Sequence, residues 1–161
     1  MKKFLKENLS FIIIIIIVFL IRCFVVTPVR VNGSSMSPTL EEKEVLLLYK
    51  LTSLEREDIV VIYKDIEGAS LIKRIIGLPN EKIKCVNGTI FINDKKYDDK
   101  YGYGTTSDFD EITLKSDEYF VMGDNRIVSK DSRMIGPIKE NFIEGTTSIV
   151  LYPFNKIGKI K

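Results

Sequence analysis

The chain has 161 residues, which is enough for one domain with a modest hydrophobic core. Its 24 basic and 22 acidic residues leave a formal net charge of +2, so composition gives no reason to expect a nucleic-acid partner. The chain contains no histidine and only two cysteines, which excludes a Ser-His-Asp triad and predicts no metal site. No cofactor is expected.

An apolar segment near the N-terminus predicts a membrane-spanning helix. From Leu9 to Val26 only Ser10 and Arg22 are polar, and as a helix this stretch matches the hydrocarbon thickness of a bilayer. Lysines crowd the short flank before it, so the positive-inside rule places the N-terminus in the cytoplasm. We therefore expect a cytoplasmic N-terminus over residues 1–7, a transmembrane anchor over 8–26 and an extracytoplasmic β-rich domain over 27–161.

Two other interpretations of this segment are less favoured. A cleaved secretory signal would carry small residues after its apolar core, and residues 22–28 offer none. A lipoprotein signal would end at Cys23, but Arg22 stands where such signals place a small residue. We interpret Arg22 as a charge that reaches the lipid headgroups. Because Cys23 lies in the anchor and Cys85 in a predicted strand, both are expected to be free thiols.

The rest of the chain predicts antiparallel β structure. The clearest signal is Asn87-Gly88 between two alternating apolar runs, which predicts a type I′ hairpin. Further apolar runs, rich in β-branched and aromatic residues, predict strands at 45–49, 59–63, 69–76, 118–122 and 146–152. The polar stretch 93–110 is interpreted as a surface excursion. The expected fold class is mostly β, an antiparallel sheet or partial barrel on one N-terminal transmembrane helix.

Three serine hydroxyls lie within residues 33–40, between the anchor and the first predicted strand. This is a suitable place for a presented nucleophile. A serine hydroxyl is unreactive near neutral pH unless a neighbouring base takes its proton, and here that base is not histidine. A carboxylate or a lysine remains.

Lys73 is the candidate base. On the predicted strand 69–76 it shares one face with Leu71 and Ile75, and burial between apolar neighbours disfavours the charged ammonium. A pKa about 2 to 3 units below the free value would make the neutral amine available near neutral pH. The alternative is that Lys73 and Arg74 are adjacent cations that protect an exposed sheet edge.

A second polar cluster follows the predicted strand 118–122. Residues 123–133 contain two aspartates and two arginines that can form ion pairs, and taken alone they indicate a structural turn. Beside a Ser-Lys pair, Ser129 is expected to accept a hydrogen bond from Lys73 and orient it.

Four motifs in this order, behind an apolar anchor, resemble bacterial type I signal peptidases. The resemblance is greatest to the short, single-anchor form of Gram-positive bacteria, and with the anchor it covers nearly the whole chain. The motifs are residues 33–40 (GSSMSPTL), 58–61 (DIVV), 72–79 (IKRIIGLP) and 123–133 (GDNRIVSKDSR).

The resemblance implies a membrane-bound serine endopeptidase that removes N-terminal signal peptides from exported preproteins. It assigns the nucleophile to Ser35, the general base to Lys73 and the orienting serine to Ser129. Asp131, with Arg133 in the same motif, would support the site structurally. The implied partners are secretory preproteins, membrane lipid and the Sec translocation machinery, at the cell membrane with the catalytic domain on its outer face.

The substrate is expected to be an extended peptide that pairs with the strand edges at 29–31 and 71–73. The family resemblance implies small residues at the first and third positions before the cut. The shallow pockets that receive them are assigned to Val29, Val31, Met36, Leu71 and Ile72.

The sequence departs from the family pattern at several positions. Gly33 stands where some relatives carry a hydroxyl that helps to hold the oxyanion, so a second donor is unassigned. Residues 127–128 are apolar where many relatives are polar, Asn80-Glu81 replaces a usual Gly-Asp, and Glu57 replaces a frequent glycine. None of these positions is part of the proposed Ser-Lys pair.

Two other functions compete with this one. The chain is also compatible with a membrane-tethered β module that binds partners without chemistry. The second alternative is a self-cleaving Ser-Lys protease like the repressor-type peptidases, against which the anchor argues because those proteins are soluble.

Overall fold

A computed structural model describes residues 8–63 and 70–160 of the chain. It begins with helix α1 (Leu9–Phe24), whose side chains are largely exposed. Across the described residues, no helix combines the length and apolarity needed to cross a membrane. The predicted cytoplasmic segment 1–7 lies outside the described residues, and the anchor over 8–26 stays a prediction.

The larger of two sheets has eight strands, and all of its pairings are antiparallel. Its spatial order is β1-β2-β11-β3-β4-β9-β10, with β12 also paired to β11. The strands are β1 (Val26–Arg30), β2 (Val45–Tyr49), β3 (Ile59–Ile62), β4 (Leu71–Gly77), β9 (Glu118–Met122), β10 (Ile138–Lys139), β11 (Ile143–Tyr152) and β12 (Gly158–Lys159).

The smaller sheet has four antiparallel strands in the order β7-β6-β5-β8. They are β5 (Lys82–Val86), β6 (Thr89–Ile92), β7 (Lys95–Lys96) and β8 (Phe109–Thr113). At the hairpin between β5 and β6, Asn87 and Gly88 have φ of 49° and 73°. Two successive positive φ values are what a type I′ turn requires, so the predicted hairpin is confirmed.

A mostly antiparallel β fold is therefore confirmed, and the differences from prediction are local. Strand β4 begins at Leu71, whereas the predicted strand began at position 69, outside the described residues. Strand β11 begins earlier than predicted, at Ile143. Strand β8 begins at Phe109, inside the predicted surface excursion, where it pairs with Cys85 of β5 and where the Phe109 ring stacks on Phe120 with their centroids 5.1 Å apart. A short helix, α2 (Ser132–Ile135), and 3-10 turns at Glu140–Phe142 and Phe154–Lys156 complete the described elements.

Three apolar clusters form the core. The first packs β2, β3 and β11 against the loop after β1 and contains Val31, Met36, Leu40, Leu46, Leu48, Ile59, Val61, Ile72 and Val150. The second joins the two sheets and contains Ile76, Ile83, Cys85, Ile90, Ile92, Leu114, Phe120 and Met122. The third contains Val60, Ile62, Ile75, Tyr119 and Val121.

The register of the larger sheet relates the end of α1 to Lys73. Val26 pairs with Tyr49, which pairs with Thr146 on its other side. Thr146 pairs with Val60, and Val60 pairs with Lys73. Lys73 therefore lies level with the first residue of β1, roughly 19 Å across the sheet at the usual strand spacing.

Candidate active site

Ser35 lies on a loop that is closed by backbone hydrogen bonds at its base. The Val31 N–H donates to Glu44 O at 2.8 Å, and the Lys43 N–H donates to Val31 O at 3.0 Å. Met36, the next residue after Ser35, is buried in the first apolar cluster. The loop is thus anchored in the core on both sides of a serine that is itself only half-buried.

A second contact fixes the Ser35 backbone. Its carbonyl oxygen accepts a hydrogen bond from the Asn125 N–H at 3.0 Å. Gly123 lies in the same narrow space, because a Cβ added there would lie 2.4 Å from Ser35 O and 2.2 Å from Ser129 Oγ. The segment 123–133 therefore approaches the Ser35 loop closely enough that only glycine fits at position 123.

Strand β4 positions Lys73 beside Ser35. The lysine is 3% exposed, and its Nζ donates to Ser35 Oγ at 2.8 Å and to Ile72 O at 3.0 Å. Its strand neighbours Leu71 and Ile75 both pack in the third apolar cluster, which also contains its cross-strand partner Val60. The structure thus brings the predicted nucleophile and the predicted base into direct contact.

Burial changes the acidity of this amine. Desolvation lowers the pKa of Lys73 from 10.5 to about 8, although the negative charges of Asp131 and Asp124 act in the opposite direction. A substantial fraction of neutral amine is therefore present near pH 8. Below that pH the ammonium form predominates.

Arg74, the neighbour of Lys73 on β4, is also buried. Its Nε and Nη2 donate to the two carboxylate oxygens of Asp124 at 2.9 and 2.7 Å, and its Nη1 donates to Glu57 O at 2.7 Å. Both cations are 3% exposed, and β4 lies between β3 and β9. The alternative that Lys73 and Arg74 protect an exposed sheet edge is therefore wrong.

Asp131 organises the segment 123–133. Its carboxylate accepts hydrogen bonds from the Gly123 N–H at 2.9 Å and from two nitrogens of the Arg133 guanidinium, each at 2.8 Å. Burial alone would raise the pKa of Asp131, but the hydrogen bonds from Arg133 and Gly123 outweigh it and lower the pKa. Asp131 also caps α2, whose Ser132 hydroxyl accepts a hydrogen bond from the Val121 N–H at 3.0 Å.

Ser129 is buried beside Gly123, but it does not make the expected hydrogen bond with Lys73. Its N–H donates to Asn125 O at 3.1 Å, while its Oγ makes no well-formed hydrogen bond among the described residues and lies close enough to the Asp131 carboxylate to help lower the pKa of that group. Lys73 instead uses Ser35 Oγ and the Ile72 carbonyl. An orienting role for Ser129 stays a prediction.

The predicted substrate-binding side chains fall in two places. Val31, Met36 and Ile72 belong to the first apolar cluster, and Val29 packs against it. Leu71 packs instead against the third cluster. Their assignment to substrate pockets stays a prediction.

Sequence reasoning missed two residues that contact this region, Asp99 and Tyr101. Both lie in the polar stretch interpreted as a surface excursion, and the one signal there was its concentration of tyrosines among charges. Within residues 8–63 and 70–160, no group of three or more acidic or cysteine side chains is placed to hold a metal ion.

Comparisons with known proteins agree with this arrangement. Residues 4–152 match the family described as "Signal peptidase, peptidase S26". The chain is 41% identical to signal peptidase I U of Bacillus subtilis, over 95% of this chain and 90% of that protein. It is 33% identical to signal peptidase IB of Staphylococcus aureus, over 96% and 93% of the two chains.

The fold is also similar to a crystal structure of a signal peptidase I from Enterococcus faecalis, with a TM-score of 0.54 and 30% sequence identity. That match covers 60% of this chain and 97% of the other. The resemblance found in the four motifs is confirmed: the chain belongs to the signal peptidases of peptidase family S26 and is a serine endopeptidase of the signal peptidase I type.

Proposed function

We propose that Ser35 is the nucleophile and Lys73 the general base of this signal peptidase. The observation that carries the proposal is the 2.8 Å contact between Ser35 Oγ and the Nζ of a buried lysine whose pKa is lowered to about 8. With this pKa a fraction of the amine is neutral near physiological pH, and that neutral amine, in contact with the hydroxyl, can take its proton.

The reaction is acyl transfer to serine followed by hydrolysis. Neutral Lys73 takes the proton of Ser35, whose oxygen attacks the scissile carbonyl, and the resulting ammonium gives the proton to the leaving amine. The signal peptide then remains esterified to Ser35. The neutral amine next deprotonates a water molecule, which attacks the ester and releases the peptide, and the proton returns to the serine oxygen.

Ser129, Asp131 and Arg133 support this pair in our proposal. Asp131 binds both Arg133 and the Gly123 N–H, and so holds the segment whose Asn125 N–H binds Ser35 O. The Ser129 hydroxyl lies beside the Asp131 carboxylate and makes no well-formed hydrogen bond among the described residues, and we propose that it turns to orient Lys73 during the reaction.

The substrate is proposed to be an extended segment of a secretory preprotein. Strand β1 is an edge strand, and β9 pairs with β4 only from Arg74 onward, so one side of β1 and one side of residues 71–73 face no other strand of the described chain, where a peptide could pair. Val29, Val31, Met36, Leu71 and Ile72 are proposed to line shallow pockets for small side chains next to the cut.

A membrane location follows from the N-terminal segment. Helix α1 exposes nearly all of its large apolar side chains, and Lys73 lies level with the residue where β1 begins. We therefore propose a single-pass protein of the cell membrane, with residues 1–7 cytoplasmic, 8–26 spanning and 27–161 outside. Lipid and the Sec machinery are the proposed partners besides the preprotein.

The test uses the detergent-solubilised full chain and a preprotein whose cut site is mapped by mass. Ser35→Ala and, separately, Lys73→Ala should abolish cleavage while the circular dichroism of the β domain is unchanged. Ser37→Ala, a hydroxyl in the same motif, should remain active. Retained turnover by either the Ser35 or the Lys73 variant would end the dyad proposal.

Two further measurements separate the competing functions. A serine-directed acylating probe should label Ser35, whereas a β module without chemistry would remain unlabelled. The mass of the purified chain should be that of the intact sequence, whereas a self-cleaving protease would yield fragments.

The proposed orientation has its own test. Protease added outside intact cells should degrade the 27–161 domain if that orientation is right.

A further inference from the structure

The polar segment 97–106, which we call the strap, leaves the smaller sheet after β7 and returns at β8. Although its sequence is polar, Thr106 is buried and Tyr97, Asp99 and Tyr101 are half-buried. The Tyr97 ring packs against the second apolar cluster, and its hydroxyl donates to Glu57 Oε1 at 3.1 Å. The strap is thus held against the larger sheet.

Asp99 binds Arg126, a fully buried cation in the segment 123–133. The carboxylate accepts from both terminal nitrogens of the guanidinium, with Nη2 to Oδ1 at 2.9 Å. The same guanidinium donates through Nε to Gly123 O at 3.0 Å and through Nη1 to Thr106 Oγ1 at 3.2 Å. Asp99 therefore fixes a side chain that holds the backbone next to Ser35.

Backbone hydrogen bonds extend this connection to the nucleophile. The Tyr103 N–H donates to Asp124 O at 2.7 Å, and the Arg126 N–H donates to Tyr103 O at 3.0 Å. Between those two positions, the Asn125 N–H donates to Ser35 O. The strap and the Ser35 loop thus bind opposite sides of the same three residues, 124–126.

Tyr101 contacts Arg74, which lies next to Lys73 on β4. Its ring lies over the Arg74 guanidinium, with the ring centroid 3.6 Å from Cζ. Arg74 makes the bidentate pair with Asp124 and is the strand neighbour of Lys73. The ring therefore covers the cation that fixes Asp124 beside the base.

We propose that Asp99 and Tyr101 are positioning residues that keep Ser35 and Lys73 in contact by holding Arg126 and Arg74. This inference rests on the proposed Ser35–Lys73 dyad. The polar stretch 93–110 would then contribute to catalysis indirectly. Asp99 and Tyr101 would act through Arg126 and Arg74 and would not touch the substrate.

The inference has an electrostatic consequence. Lys73 faces two carboxylates, Asp131, which Arg133 neutralises, and Asp124, which Arg74 neutralises. Loss of the Tyr101 ring loosens Arg74, so the charge of Asp124 acts more strongly on the ammonium of Lys73. The base then holds its proton to higher pH, and the acid limb of the pH–rate profile moves upward.

The first experiment measures preprotein cleavage by Tyr101 variants of the detergent-solubilised full chain over a range of pH. Tyr101→Leu should lower kcat about 10-fold with KM unchanged, and move the acid limb upward by about half a pH unit. Tyr101→Phe keeps the ring and should match the unmodified enzyme. Tyr103→Leu is the matched control, because that side chain is 59% exposed and only its backbone joins the strap to 124–126.

The second experiment removes the strap charge that binds Arg126. Asp99→Asn should lower kcat about 10-fold without changing KM, since Asp99 binds Arg126 and not the residues assigned to peptide binding. Asp98→Asn, a substitution of the exposed neighbour, should have no effect. Normal kcat and a normal acid limb in both Tyr101→Leu and Asp99→Asn would overturn the inference, as would an equal loss in the Asp98 control.

Ser35→Ala, measured alongside, separates the two proposals. An active Ser35→Ala enzyme would contradict the dyad itself. A dead Ser35→Ala enzyme with normal strap variants would contradict only the positioning role. Each variant is compared by thermal unfolding, and Tyr101→Met, which fills similar space without a ring, replaces Tyr101→Leu if that chain does not fold.

Discussion

The two sheets shift the pKa of a mid-strand lysine in opposite directions. Lys73 in β4 of the larger sheet is buried among apolar side chains, which lowers its pKa to about 8. Lys84 in β5 of the smaller sheet donates to Asp94 at 2.6 Å and to Glu111 at 3.0 Å, and these hydrogen bonds raise its pKa. The neighbours of a lysine, and not its position in a strand, decide whether it can act as a base.

The same contrast extends to the ion pairs. The ion pairs Arg74–Asp124 and Arg133–Asp131, which link the larger sheet to the segment 123–133 or lie within that segment, are almost completely buried. The pair Lys82–Glu111 in the smaller sheet is exposed, with 3.6 Å between Nζ and Oε1. Breaking a buried pair typically costs about 3 to 5 kcal/mol, while an exposed pair contributes about 0 to 1 kcal/mol. Breaking one of the ion pairs at the site should therefore destabilise the fold far more than breaking an exposed pair in the smaller sheet.

The largest expected effect comes from exchanging Lys73 for arginine, with the same exchange at Lys84 as the control. Lys73→Arg should lower preprotein cleavage about 10³-fold or more, because a guanidinium does not release its proton near neutral pH. Lys84→Arg keeps an exposed charge beside Asp94 and Glu111 and should cleave normally. Measurable turnover by the Lys73 variant in the initial-rate assay would show that position 73 need not be a base.

A smaller effect is expected on stability. The unfolded lysine takes up its proton at 10.5 and native Lys73 only at about 8, so below pH 8 the native state is destabilised by about 3 kcal/mol. Lys73→Met should raise the free energy of unfolding by about that amount at pH 7, and the gain should shrink as the pH rises from 8 to 10.5. Denaturant unfolding in detergent measures it.

The Lys84→Met variant is the control for that measurement. Because the pKa of Lys84 is raised in the native state, its contribution is stabilising, present below the unfolded pKa and lost as pH rises through the folded value. Its removal should therefore not stabilise the chain at pH 7. Equal and positive changes in both variants would remove the contrast between the two lysines.

The pH dependence of kcat/KM sharpens the comparison further. In our proposal neutral Lys73 is the reactive form, so kcat/KM should fall about tenfold per unit below a pKa of about 8 and level off above it. Lys84→Met should leave this profile unchanged. An acid limb well below pH 7 would show that the ammonium of Lys73 is not the group that limits the rate.

The smallest effect is expected at the hairpin of the smaller sheet. Asp108 accepts hydrogen bonds from the backbone N–H groups of Gly88 and Asn87 at 2.8 and 2.9 Å, and these bonds lower its pKa. Asp108→Ala should lower Tm slightly at neutral pH and lose that effect as pH falls below the pKa of a free aspartate. Cleavage should be unaffected, and a large loss of activity would show that the smaller sheet also shapes the site.

Much of the fold followed from local patterns. The alternation of Leu71, Lys73 and Ile75 placed the lysine between apolar neighbours because side chains repeat every two residues along a strand. That pattern also fitted a sheet edge, and the pairing of Lys73 with Ser35 came from the resemblance carried by the four motifs. The Asn87-Gly88 signal gave the hairpin register for the same local reason. The strand and the hairpin needed only neighbours in sequence, whereas the dyad needed the order of motifs along the whole chain.

The contacts of the strap could not be predicted in this way. Asp99 and Arg126 are 27 positions apart, and a polar run contains no local pattern that names its partner. The same limit applies to Ser129, whose hydroxyl was expected to bind Lys73 and lies instead beside the Asp131 carboxylate. Side-chain partners across a loop depend on how whole segments pack, which periodicity does not encode.

The junction between α1 and β1 is short. Only Val25 separates Phe24 from Val26, and it belongs to both elements: its N–H donates to Ile21 O in the helix, and its carbonyl accepts from the Lys50 N–H beside β2. The linker is a single residue with both of its backbone groups hydrogen-bonded. With α1 as the proposed membrane anchor, the strand register would therefore set the height of the Ser35–Lys73 pair above the bilayer.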